Sequence, residues 1–149
     1  MRVTCHIGHH KTGTTSLQTF LSQNSHRLAQ TGILYPWTDF EGAAHAVSKA
    51  TGAGDRKAVL PFNIREPHNA LAFRMLSDAL PGWKVPPHHP NLPHSRQMLL
   101  AVANQMAALE PKEVVLCSEV MSHFGKSATG QITRLRKNGL GLADAFRVW

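Results

Sequence analysis

Apolar positions along this chain switch repeatedly between a period of two and a period near three and a half, and each switch predicts a change of element. Val3, Cys5 and Ile7 alternate with Thr4 and His6 and run into Gly8, the pattern of a short strand entering a turn. Leu17, Phe20, Leu21 and Leu28 then recur at helical spacing to about Gln30, where Gly32 stops the pattern. Ile33, Leu34 and Tyr35 predict a second strand, closed by Pro36 because proline brings no N–H to a ladder. Residues 37–67 are weakly patterned, with a helix expected near residues 43–50 and a loop at 52–55. Leu71, Met75, Leu76 and Leu80 predict a helix ended by Pro81-Gly82, followed by a Pro- and His-rich loop over residues 86–93. Met98, Leu99, Val102, Met106 and Leu109 mark a longer helix with Ser95 as its N-cap.

The run Val114-Val115-Leu116-Cys117 reads as a strand covered on both faces, with Ser118 and Glu119 at its carboxyl end. A helix over residues 129–137 and a strand beginning at Phe146 complete the order. Strands alternating with helices predict one α/β domain over residues 1–149, a parallel sheet flanked by helices, with its ligand site beyond the carboxyl ends of the strands.

Composition narrows the classes. At 149 residues, 42% hydrophobic and 17% charged, the chain has the makings of a single globular unit rather than a disordered or fibrous one. Its apolar stretches fall short of the roughly 20 residues a membrane helix needs, and no long apolar region follows Met1-Arg2, so a cytoplasmic protein is expected. Cys5 and Cys117 lie in strand-like runs and read as buried thiols, since two cysteines fix no disulfide framework. Sixteen Lys and Arg against nine Asp and Glu give +7, which favours an anionic partner: a nucleotide, a nucleic acid, or a sulfated or phosphorylated substrate.

Gly8-His9-His10-Lys11-Thr12-Gly13-Thr14-Thr15-Ser16, between the first strand and the first helix, carries the chemistry. A loop in that position gathers backbone N–H groups at one point, and the helix behind it adds unpaired donors and the positive end of its dipole. The two glycines have the spacing of the nucleotide-triphosphate loop G-x-x-x-x-G-K-[ST], but Thr14 stands where that loop has lysine, and the lysine sits inside it at position 11. A plainer alternative leaves Lys11 in solvent and uses Thr14, Thr15 and Ser16 only to cap a helix.

The segment H-K-T-G-T-T-S-L-Q resembles the 5′-phosphosulfate loop of the sulfotransferase family. The resemblance implies a P-loop-like parallel sheet and 3′-phosphoadenosine 5′-phosphosulfate as co-substrate, with no metal. It implies that Lys11 contacts the bridging and sulfonate oxygens, and that Thr12, Gly13, Thr14, Thr15 and Ser16 hold the 5′-phosphate. Some members use a glutamate as general base, and Glu119 is the candidate, with a structural ion pair to Lys11 or a cap as the rival role. The family also grips the 3′-phosphate with an Arg at the end of a later strand and a Ser on the following helix. This chain stops at Phe146-Arg147-Val148-Trp149, so the resemblance implies an N-terminal part of such an enzyme, with the second donor site absent and activity of this chain alone open.

Two other functions are consistent with the charge: a nucleotide-binding P-loop protein of another kind, such as a kinase, and a basic nucleic-acid-binding module, for which no recognition motif is found. His45 is a second candidate for the base. His88, His89 and His94 lack the companions and spacing of a zinc site. The acceptor, the oligomeric state and the partners beyond a nucleotide are not written in the pattern.

Overall fold

A computed structural model describes residues 1–8, 14–53, 59–89, 91–125, 130–139, 141 and 145–148. The first strand, β1 (Arg2–His6), buries Val3 and Cys5 and leaves Thr4 and His6 half-buried, as its alternation requires. The predicted first helix is two: α1 (Thr14–Gln23) and α2 (Ser25–Gln30), parted at Asn24. Gly32 follows α2 at φ +86°, a conformation that costs other residues strain, and its carbonyl accepts from the N–H groups of Lys112 and Glu113 (2.9 and 3.2 Å). This turn therefore sets β2 (Ile33–Leu34), shorter than its sequence suggested, beside β3 (Glu113–Cys117).

Between β2 and β3 lie α3 (Phe40–Ala50), α4 (Phe62–Arg65), α5 (Pro67–Ala79) and α6 (Ser95–Leu109). Asp39 caps α3 by accepting from the Gly42 N–H at 2.8 Å, and a side chain at Gly42 would meet the Trp37 ring at 2.8 Å. Pro67 opens α5 at a position where no N–H is needed. The N-cap of α6 is His94, whose Nδ1 accepts from the Arg96 N–H, and not Ser95. Ser95 is claimed elsewhere: its N–H donates to Asp78 Oδ2 (2.9 Å) and its hydroxyl accepts from Arg134 Nη2 (2.8 Å). Those bonds tie α5 and α6 to α7 (Gly130–Gly139). A 3₁₀ helix, Glu119–Phe124, follows β3, and β4 (Ala145–Val148) ends the described chain.

The sheet is parallel throughout in the order β2-β3-β1-β4, so the fold is mixed α/β with a small parallel sheet flanked by helices. Its core joins Val3, Cys5, Val114 and Leu116 of the sheet to Leu71, Met75 and Leu76 of α5 and Met98, Leu99, Val102 and Met106 of α6. The helix α5 packs on α6, and α6 on α7, while α1 and α2 pack with α4 and α3.

The crossover after β1 passes β3 to reach β2, whereas the crossover after β3 passes β1 to reach β4. Neighbouring strands whose connections diverge leave a crevice between their carboxyl ends, where ligands of open α/β sheets bind. That switch point lies between β1 and β3.

Candidate functional site

The chain leaves β1 at His6, and α1 begins at Thr14. Lys11, Thr12 and Gly13 of the expected phosphate loop lie outside the described residues, as do His9 and His10. Thr15 and Ser16 are exposed on the first turn of α1, which carries no acidic residue to neutralise its positive end. The buried side of α1 is polar: Gln18, Ser22 and, at the start of α2, Ser25 face inward, while Leu17 and Phe20 are exposed. Ser22 Oγ donates to the Ile64 carbonyl at 2.6 Å, which joins α1 to α4. Gln18 has neither amide atom partnered among the described residues.

Across the switch point, β3 stays attached to β1 past its own end, because the Ser118 N–H donates to the His6 carbonyl at 2.9 Å. Ser118 Oγ donates to Asn69 Oδ1 (2.7 Å), and Asn69 Nδ2 donates to Glu66 Oε2 (2.7 Å), with all three side chains buried. The other oxygen of Glu66 stands 3.6 Å from Arg65 Nε. Burial raises the Glu66 carboxyl above the usual carboxylate range; the Asn69 hydrogen bond, Arg65 and His88 oppose that rise, and the charge of Glu119 adds to it. Glu119 itself is half-buried at the start of the 3₁₀ helix, one residue beyond the anchored Ser118.

His68, between Pro67 and Asn69 at the start of α5, is fully buried. Its Nδ1 accepts from the Cys117 N–H (3.0 Å), which places the proton on Nε2, and Nε2–H donates to the Pro36 carbonyl (3.0 Å). Burial lowers its pKa to about 4, so the ring is neutral at pH 7. The Tyr35 ring meets it edge-on at 4.4 Å. Cys117 Sγ is 3.4 Å from His6 Nδ1, and burial, followed by the charge of Glu119, pushes the thiol up to about 12. Cys5 is likewise raised to about 12 by burial; both thiols are buried and free, and neither is a nucleophile at neutral pH.

No protein-family model, no curated protein and no solved structure matches the chain.

His45 does not join the crevice: it sits on α3 with its ring against Trp37 at 5.9 Å, and burial, followed by Lys49, lowers its pKa. His94 caps α6 and stands 3.4 Å from Asp78. Arg147 lies inside β4 opposite Thr4, not at a strand end. No group of three or more His, Cys, Asp or Glu among the described residues is placed to hold a metal ion, and no described helix is long and apolar enough to cross a membrane.

Periodicity had no means of finding Glu66, Asn69 and His68. Their one local signal is Glu66-Pro67-His68-Asn69 at the opening of α5, a polar tetrad where a buried helix starts. A buried carboxylate raised in pKa beside a second carboxylate, at a sheet's switch point, is the arrangement from which acid–base sites are made.

Proposed function

We propose that the chain is a sulfotransferase, or the donor-binding part of one, that moves a sulfonate group from 3′-phosphoadenosine 5′-phosphosulfate to a hydroxyl or amine acceptor. The observation that carries this reading is positional. The Gly8–Ser16 motif leaves β1 at the switch point and leads into α1, while β3 brings Ser118 and Glu119 to the same edge of the sheet.

In this reading the backbone N–H groups of residues 12–16 and the start of α1 hold the 5′-phosphate, and Lys11 faces the oxygen that bridges phosphorus and sulfur. The acceptor oxygen or nitrogen attacks sulfur and gives its proton to Glu119. The bond from sulfur to the bridging oxygen breaks, and the nucleotide bisphosphate leaves with the electron pair, its growing charge offset by Lys11. The buried chain from Ser118 through Asn69 to Glu66 keeps the end of β3 in register beneath the base.

Calorimetric titration with 3′-phosphoadenosine 5′-phosphate, set beside ATP with Mg²⁺, tests the proposal. Saturable binding of the bisphosphate, weakened by Lys11→Ala, is expected. A clear preference for Mg-ATP would instead make this a P-loop nucleotide-binding protein of another kind, and tighter, salt-sensitive binding of mixed-sequence DNA would make it a nucleic-acid module.

A further inference from the structure

Away from the switch point, Asp39, Phe40 and Glu41 at the start of α3, Asn63 on α4, and His88 and His89 of the Pro-rich loop line a cavity of about 400 Å³. Small-molecule sites fall between roughly 300 and 1,000 Å³. Asn63 Nδ2 donates to Asp39 Oδ2 (2.9 Å) and to Glu41 Oε2 (2.7 Å), so one neutral amide gathers two carboxylates. Neither carboxylate has a cationic partner among the described residues. Arg65, on the same short helix as Asn63, is turned to the Phe62 ring and Glu66 instead.

A second observation is independent of the acids. His89 lines the cavity with only 2% of its surface exposed, and neither ring nitrogen has a hydrogen-bond partner among the described residues. An unpaired buried polar group destabilises the fold, a cost that a ligand hydroxyl would remove. At the rim, Phe40 is 85% exposed, with its ring open to a charged head group.

We propose that this cavity binds a small organic cation of the hydroxyl-bearing alkylammonium class. The ammonium head lies between Asp39 and Glu41 under the Phe40 ring, and the hydroxyl meets His89. Paired carboxylates with an aromatic face are how proteins hold ammonium ions, and here the surrounding chain is strongly basic, so the site's local charge runs against the whole. His89 adds no competing positive charge at neutral pH, because burial, followed by His88, lowers its pKa to about 4.

The test is an NMR titration of the ¹⁵N-labelled full chain with choline, beside its neutral carbon isostere 3,3-dimethyl-1-butanol, at matched ionic strength. No nucleotide is present, so the result is separate from the sulfonate reading. Choline is expected to move the Asn63 side-chain amide signals saturably, with the isostere at least about fivefold weaker and Glu41→Gln weakening choline by a similar factor. Glu41 is exposed, so that variant keeps the fold. Absence of a saturable shift, equal binding of the isostere, or unchanged binding to E41Q would each overturn the proposal.

Discussion

His68 shows how a single residue is committed by its surroundings. With Nδ1 facing the Cys117 N–H, a second ring proton would point donor at donor, so protonation must break that contact or the fold. The folded pKa of about 4 lies below the ordinary histidine value of 6.5, so the unfolded chain binds more protons between those values and stability falls as pH drops through that window. Full burial makes this about 3 kcal/mol for His68, present above pH 6.5 and lost toward pH 4. His89 acts in the same direction, while Glu66, raised by burial, opposes it. Urea unfolding at neutral pH and near pH 4.5 is expected to show the loss, and His68→Gln to shrink the difference between the two. An unchanged difference in that variant would remove His68 as its source.

At the scale of elements, α1 is the instructive case. Its apolar spacing correctly predicted a helix but would also assign Leu17 and Phe20 to the core, and the structure exposes both. The reason is the partner: α1 meets α4, whose Ile64 carbonyl takes the Ser22 hydroxyl, so a polar stripe is the one that fits. Phe20→Ser is therefore expected to change stability by less than about 0.5 kcal/mol, as exposed substitutions do. Gly42→Ala, by contrast, forces a methyl against Trp37 and is expected to cost about 1–3 kcal/mol. Denaturant midpoints of the two variants check both expectations, and their order should not reverse. The capping of α6 carries the same lesson, since Ser95 has the right chemistry for an N-cap yet spends its hydroxyl on Arg134.

For the whole molecule, the proposed function makes a charge of +7 a means of speeding the arrival of an anionic nucleotide. Stopped-flow association of a fluorescent 3′-phosphoadenosine 5′-phosphate analogue is expected to slow as salt rises from about 20 to about 300 mM, where screening shortens to several ångströms. A rate indifferent to salt would mean that local contacts alone govern capture. The sequence by itself determined the kinds and order of most elements and the buried state of both cysteines, because strand and helix periods and turn residues are local properties of the chain. It missed the one-turn α4, too short to show a period, and overextended β2, whose length depends on pairing with β3. Only the tertiary structure decided that β1 lies between β3 and β4, that Glu66, Asn69 and Ser118 form one buried chain, and that Asn63 gathers Asp39 and Glu41. Those facts depend on residues distant in sequence meeting in space: Ser118 and Asn69 are 49 positions apart, and their hydrogen bond, which satisfies both buried side chains, forms only when the fold brings them together.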